Sequence, residues 1–101
     1  MKKVNLKIEI DLNSRRIEYI NIEGRVLSTN SFFDFINGSW VAEQKDFPLN
    51  NDEDLDILII TVGNPRENSK LKLTVNSEFK GEFSMYKPFN RNGYGQFNLE
   101  I

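Results

Sequence analysis

Neither cysteine nor histidine occurs among the 101 residues of the chain. The absence of cysteine excludes disulfides, thiolate nucleophiles and the usual structural zinc sites. The absence of histidine removes the commonest general base and the commonest transition-metal ligand. A catalytic site would have to use Asp, Glu, Lys or Tyr, and no pair of carboxylates is singled out by the apolar setting that glycoside hydrolysis needs. We therefore predict a protein that is not an enzyme and that carries no cofactor and no metal ion.

The chain also has little net charge and no long apolar run. Its 13 basic and 15 acidic side chains give a formal charge of −2, without the basic excess that phosphate binding requires, so we expect no nucleic-acid partner. No segment approaches the roughly 20 apolar residues of a membrane helix, and the polar alternation after Lys3 is unlike a signal peptide. We expect no membrane contact, and a cytoplasmic location if Met1 is the native start; a leader replaced by Met1 would leave export open.

A chain of 101 residues suits one domain, here residues 1–101. Several short segments alternate apolar with polar residues, which is the period of half-buried strands. The first segment places four residues on one face: Val4, Leu6, Ile8 and Ile10. The last segment does the same with Phe97, Leu99 and Ile101. We predict an all-β fold, a small antiparallel β-sandwich or barrel of about seven to eight strands.

Two segments depart from simple alternation. Within residues 17–22 the apolar positions change parity, which indicates a bulge or a strand covered on both faces. Residues 55–62 are apolar on both parities, which predicts a central strand covered on both sides. Because a chain this short has little material for a second cover, we expect Leu58 and Ile60 to form an interface with a second copy or another protein.

Residues 71–85 predict a β-hairpin, since their apolar pattern mirrors about Ser77. A two-residue turn would set Leu73 against Lys80, so we favour an odd-length loop. The predicted register then pairs Val75 with Phe79, Leu71 with Phe83, and Lys72 with Glu82.

Residues 31–37 are the one place where a helical turn competes with a strand. Ser31 and Asp34 resemble a capping box, and Gly38 suits a helix C-terminus, so we predict one short helical turn. The strands that carry Leu6 and Ile17 lie near a chain terminus, where we expect a sheet edge that could accept another chain by strand addition.

The loop of residues 86–96 is the first candidate binding site. Its aromatic rings suit the apolar faces of sugars, and its amides and cations suit hydroxyl groups. The candidate ligand-binding residues are Tyr86, Lys87, Phe89, Asn90, Arg91, Asn92 and Tyr94. The alternative interpretation is a long hairpin connection in which Gly, Asn and Pro make turns while the aromatic rings close the core.

Two further clusters have an ordinary structural explanation. The oxygen-rich residues 50–56 resemble a calcium ligand set but lack the spacing of the helix-loop-helix motif, so we favour a solvated acidic loop. An aromatic cluster could line an interface, with Trp40 as its candidate, or belong to the core; its members are Phe32, Phe33, Phe35, Trp40 and Phe47.

These patterns favour a non-catalytic binding or interaction module over an enzyme. We predict protein–protein contact or assembly into a homo-oligomer as its function. The alternative is a lectin-like, carbohydrate-binding domain that uses the loop of residues 86–96.

Overall fold

Alternating apolar residues form two long strands at the start of the chain, β1 (Lys3–Asp11) and β2 (Ser14–Ile22), in a computed structural model that describes residues 3–49 and 54–101. The other elements follow in chain order: β3 (Arg25–Leu27), α1 (Thr29–Phe32), β4 (Asp34–Ile36), β5 (Ser39–Pro48), β6 (Asp56–Gly63), β7 (Lys70–Val75), β8 (Glu78–Ser84) and β9 (Tyr94–Glu100). The described residues thus contain nine strands, and β4 is the one that the sequence did not predict.

The strands form two antiparallel sheets, so the prediction of a small antiparallel all-β fold is confirmed. The five-stranded sheet has the order β4-β5-β1-β7-β8, and the four-stranded sheet has the order β3-β2-β6-β9. Strands β1 and β2 lie inside their sheets, because β5 and β7 pair with β1 while β3 and β6 pair with β2. The predicted edge position of the strands carrying Leu6 and Ile17 is therefore wrong.

The apolar face of each strand contributes to a single core. Fully buried aliphatic and aromatic residues from both sheets belong to it, including Ile8, Leu71, Ile20, Ile59 and Phe97. Burying one such side chain stabilises the fold by about 1.5–3 kcal/mol. The final strand fits this pattern only in part, since Phe97 and Leu99 are buried whereas Ile101 is exposed.

The predicted bulge in β2 is present. Ile17 pairs with Thr61 and Tyr19 pairs with Ile60, so the intervening Glu18 is the extra residue on β2. The bulge lets Ile17 and Ile20 both point into the core despite their opposite parities.

The β7–β8 hairpin has the predicted register in its outer half only. Leu71 pairs with Phe83 and Lys72 with Glu82, but the register shifts between Leu73 and Thr74. A two-residue turn, Asn76-Ser77, then pairs Val75 with Glu78 and Thr74 with Phe79. Both turn residues have positive φ (51° and 66°), as a type I′ turn requires.

The predicted pairing of Val75 with Phe79 is therefore wrong. An extra residue in β8 between Phe79 and Gly81 compensates for the even-length turn. Phe79 consequently faces outward and is 60% exposed, while Phe83 packs against the core.

The Asn37-Gly38 pair forms the turn between β4 and β5, and both residues have positive φ (51° and 82°). The predicted helical turn at 31–37 is wrong in position, because α1 covers Thr29–Phe32 and β4 begins at Asp34. The predicted capping role of Ser31 is also wrong, since Ser28 precedes the helix and makes no side-chain cap hydrogen bond.

A chain of buried hydroxyl groups links the two sheets beside the β1–β2 turn. The Ser69 hydroxyl donates to a carboxylate oxygen of Asp11 (2.6 Å), and Ser14 Oγ lies 2.7 Å from Ser69 Oγ and 3.0 Å from Thr61 Oγ1. Because each hydroxyl has one proton, Ser69 accepts from Ser14, and Ser14 accepts from Thr61. The side chains of Ser14, Thr61 and Ser69 are fully buried, so this network fixes how the sheets meet.

We expect Ser77→Gly to stabilise the protein by roughly 0.5–1 kcal/mol, because glycine adopts the positive φ of this turn without the steric cost that serine has. Urea unfolding of the variant and the wild type measures the difference. A midpoint below that of the wild type would contradict the turn assignment.

We expect Ser14→Ala to destabilise the protein by about 1–3 kcal/mol, because it leaves buried hydroxyl partners without a hydrogen bond. Thermal and urea unfolding give the difference. The control is Ser84→Ala, an exposed position where the change should stay within about 0.5 kcal/mol; equal losses in the two variants would show that the network contributes nothing specific.

Candidate functional site

The outer surfaces of the two sheets differ in charge. On the five-stranded sheet, charged residues of both signs alternate across neighbouring strands, as in the row Glu9, Lys72 and Glu82. Lys7 Nζ lies 3.2 Å from Glu9 Oε1, and Lys70 Nζ lies 3.5 Å from Glu82 Oε1. We call this surface the charged face; the exposed ring of Phe79 also lies on it.

The outer surface of the four-stranded sheet carries uncharged side chains at its centre. Strand β6 is central, as predicted, but its two faces differ: Ile57 and Ile59 are buried, whereas Leu58 and Ile60 are only half-buried. An aliphatic side chain, three amides and two phenols surround Leu58 and Ile60. Together with these two residues they form a set that we call the neutral face: Tyr19, Asn21, Leu58, Ile60, Val62, Tyr94, Gln96 and Asn98.

The neutral face is ordered by its own strand pairing. Tyr19 and Gln96 flank Ile60 from the two neighbouring strands. The Asn21 amide donates to the Tyr19 hydroxyl (3.1 Å), which links two polar groups of this face. Charged groups stand at the margins, where Arg16 and Glu18 form an ion pair at 2.6 Å.

The segment of residues 85–93, which we call the arch, connects β8 to β9 across one end of the sandwich. Its anchor is Phe89, which is only 2% exposed. The ring packs against Gly63 and Gly95, where added side-chain carbons would overlap with it or press on it. The Phe89 N–H donates to the Glu67 carbonyl (3.0 Å), and the Phe89 carbonyl accepts from Arg66 (2.8 Å).

Asn90 builds the turn that closes the arch. Its side-chain oxygen accepts from the N–H groups of Asn92 (2.9 Å) and Tyr94 (3.0 Å). Its backbone N–H donates to the Tyr94 carbonyl (2.9 Å), and Gly93 donates to its carbonyl (2.9 Å). Turn chemistry therefore accounts for this asparagine.

The arch rises beside the neutral face and makes a groove of about 380 Å³ with it. Tyr86 fixes the junction, because its N–H donates to the Gln96 carbonyl on β9 (3.0 Å). The groove is lined by Ile60, Tyr86, Lys87, Pro88, Asn90, Tyr94, Gly95 and Gln96. Two candidates that the sequence presented separately, Ile60 and the loop of residues 86–96, thus line one groove.

Not every predicted site residue takes part. Phe89 lies in the core, where a ligand has no access to it. Arg91 and Asn92 are exposed at the tip of the arch and do not line the groove. Trp40 lies on the other sheet, half-buried, and its indole N–H donates to the Ser14 carbonyl (2.6 Å). Leu58 lies on the neutral face beside the groove.

Pro88, Gly95 and Gln96 line the groove and lie in the predicted loop of residues 86–96, although they are not among its candidate ligand-binding residues. The sequence missed Asn98 as a residue of the neutral face. Alternation along residues 94–100 does place Tyr94, Gln96 and Asn98 on one side of a strand. Alternation alone does not predict that β9 pairs with β6, and this pairing brings Gln96 beside Ile60.

The remaining aromatic and acidic candidates are placed as follows. Phe32, Phe33 and Phe47 are buried in the core, whereas Phe35 is 56% exposed and packs edge-on against Trp40 with 4.9 Å between ring centroids. Residues 50–53 of the acidic loop lie outside the described residues. Among residues 3–49 and 54–101, no three acidic side chains come together as a metal site would need. The described part of the chain contains no helix of the length and apolarity needed to cross a membrane.

We expect Gly63→Ala to destabilise the fold by about 1–3 kcal/mol and to loosen the arch. The added carbon would lie 2.5 Å from the Asn13 carbonyl oxygen and would overlap with the Phe89 ring. Urea unfolding measures the loss, and amide hydrogen exchange at Asn90 and Gly93 reports on the arch.

The control is Gly24→Ala. Its added carbon meets nothing within 4 Å, although its φ of 79° is costly for alanine. This variant should lose about 1 kcal/mol with arch exchange unchanged. If amide hydrogen exchange in the arch of Gly63→Ala were as slow as in the wild type, the anchoring role of Phe89 would be contradicted.

Comparisons with protein-family models, with curated proteins and with solved structures find no match to this chain. Any function given to the groove and the neutral face therefore rests on their geometry.

Proposed function

We propose that this protein is a non-catalytic module that binds another protein surface through the neutral face and its adjoining groove. The observation that supports this most is the meeting of Leu58, Ile60, Tyr86 and Tyr94 on one side of the sandwich, opposite the charged face. The centre of a protein interface is poor in charged residues and rich in aromatic ones, and the neutral face has both properties.

The apolar area on this side supports the same function. Ile60 is half-buried at the floor of the groove, while Tyr86 is 71% exposed at its wall. Each square ångström of such surface that a partner removes from water contributes about 25 cal/mol. A partner that covers both residues would gain from contacts which the chain leaves partly hydrated.

Rigidity further favours binding. Ile60, Tyr94 and Gln96 lie on paired strands, and the arch is held by Phe89 and the Asn90 turn. Side chains held on such a frame lose little conformational entropy when a partner docks.

Carbohydrate binding is the second candidate function. Tyr86 offers an exposed ring, and Gln96 and Asn98 offer amide groups nearby, which is the combination that sugars use. Against it, the Lys87 ammonium lies 5.4 Å from the Tyr86 ring centroid in a cation–π contact and competes with a sugar for a ring face. The buried position of Phe89 removes a second stacking ring, so the geometry supports a protein partner better.

A binding role also suits the chemistry of the groove. Its ionisable lining residues are Lys87 and the phenols Tyr86 and Tyr94, and none of its lining residues is a carboxylate. The pair of carboxylates that glycoside hydrolysis uses is therefore not among these residues.

A pull-down from native lysate, with captured proteins identified by mass spectrometry, tests the proposal. The wild-type chain is compared with Ile60→Lys, which places a charge at the centre of the neutral face. We expect at least one protein, whether a different chain or the endogenous chain itself, to be captured by the wild type and lost with this variant.

The matched control is Thr74→Lys, a half-buried position on the charged face, which should retain the capture. Circular dichroism confirms that both variants are folded. Capture that survives in Ile60→Lys would overturn the assignment of the neutral face. A glycan array on which the wild type binds and Tyr86→Ala does not would favour the carbohydrate function instead.

A further inference from the structure

We infer that the neutral face binds a second copy of this chain, with a two-fold axis that runs across the strands near Ile60. This inference rests on the proposed function and names its partner. A two-fold axis lying in the interface is the usual symmetry of a soluble homodimer, and it would pack the four-stranded sheets face to face.

Charge at the two ends of the neutral face supports a second copy. At one end, Asp56 and Glu100 lie opposite each other on β6 and β9. At the other end, Lys87 lines the groove; Arg16 lies on β2 beside Val62, where its charge is offset by the Glu18 carboxylate at 2.6 Å. The acidic end and the basic end are separated by the uncharged centre around Leu58 and Ile60.

A two-fold axis across the strands reverses their direction, so the acidic end of one copy lies over the basic end of the other. The axis keeps each strand at its own lateral position, which sets β9 over β9 of the second copy. Glu100 of each copy would then approach Lys87 of the other, giving two opposite-charge contacts at the rim. An axis parallel to the strands would instead set like charges together, which is unfavourable.

The shape of the β9 edge supports the same arrangement. Leu55 and Ile101 exchange both backbone hydrogen bonds (2.6 and 3.0 Å), and Gly63 donates to Gly93 (2.8 Å). The odd-numbered residues of β9 thus bond to β6, and the even-numbered residues direct their N–H and C=O groups away from it.

The arch covers only the first half of this outward edge. The carbonyls of Tyr94 and Gln96 accept from Asn90 (2.9 Å) and Tyr86 (3.0 Å). Within the described residues, no backbone group bonds to the outward side of Asn98 or Glu100. The two-fold axis across the strands reverses the strand direction in the second copy. It therefore places the arch of one copy beside the open edge at Asn98 and Glu100 of the other, and the two surfaces would fit together.

The size of the face sets the expected affinity. Four strands spaced about 4.8 Å apart, each with about six residues over the face, span roughly 20 by 20 Å. That is below the roughly 800 Å² per partner of a standard interface, so we expect a weak dimer with a dissociation constant on the order of 100 μM.

Sedimentation equilibrium from micromolar to millimolar concentration tests the inference with two exposed charge reversals, Glu100→Lys and Lys87→Glu. In a dimer of either variant alone, residues 100 and 87 of opposite copies carry the same charge at both rim contacts. We therefore expect each variant to weaken self-association by about tenfold or more. In an equimolar mixture of the two variants, a mixed dimer has opposite charges at both rim contacts, so the mixture should dimerise as well as the wild type does.

The matched controls are Glu43→Lys and Lys45→Glu, which make the same charge changes at exposed positions of the other sheet and should leave the dissociation constant unchanged. A wild type that stays monomeric at millimolar concentration would overturn the inference. The inference would also be overturned if the equimolar mixture self-associated no more tightly than each variant alone. That result would indicate an edge-to-edge dimer or another arrangement. If a different protein is still captured in an Ile60-dependent way, the proposed function stands without the second copy.

Discussion

The seating of the Phe89 ring against Gly63 and Gly95 is the constraint on which the candidate site depends. With this ring in the core, the arch is held between the 66–67 loop and β9 by backbone hydrogen bonds at both Phe89 and Tyr86. Four residues of the arch then line the groove together with Ile60: Tyr86, Lys87, Pro88 and Asn90. A residue that looks like a ligand contact in the sequence thus acts by positioning its neighbours.

The two sheets meet water in different ways, and the difference follows from strand register. Pairing of β1, β7 and β8 brings Glu9, Lys72 and Glu82 side by side, so their charges compensate across the sheet. Pairing of β2, β6 and β9 gathers aliphatic and amide side chains around Ile60. One register produces a surface of alternating charges, and the other produces a surface with uncharged side chains at its centre.

Local patterns in the sequence predict much of the fold but little of the site. Alternation predicts most of the strands, the bulge in β2 and the pairing of Leu71 with Phe83, because these depend on near neighbours. The Asn37-Gly38 dipeptide is a strong hairpin signal that competes with a helical interpretation of the residues before it. The burial of Phe89 and the meeting of the arch with Ile60 depend on contacts between distant strands, which one sequence without topology does not specify.

Amide chemical shifts measured by NMR as the protein is concentrated from micromolar to millimolar show most directly whether the neutral face is a surface of self-association. We expect concentration-dependent shifts at Leu58, Ile60, Gln96 and Asn98, together with the arch, and unchanged shifts on the charged face. Shifts confined to the charged face, or no shift on the neutral face at millimolar concentration, would rule out that role.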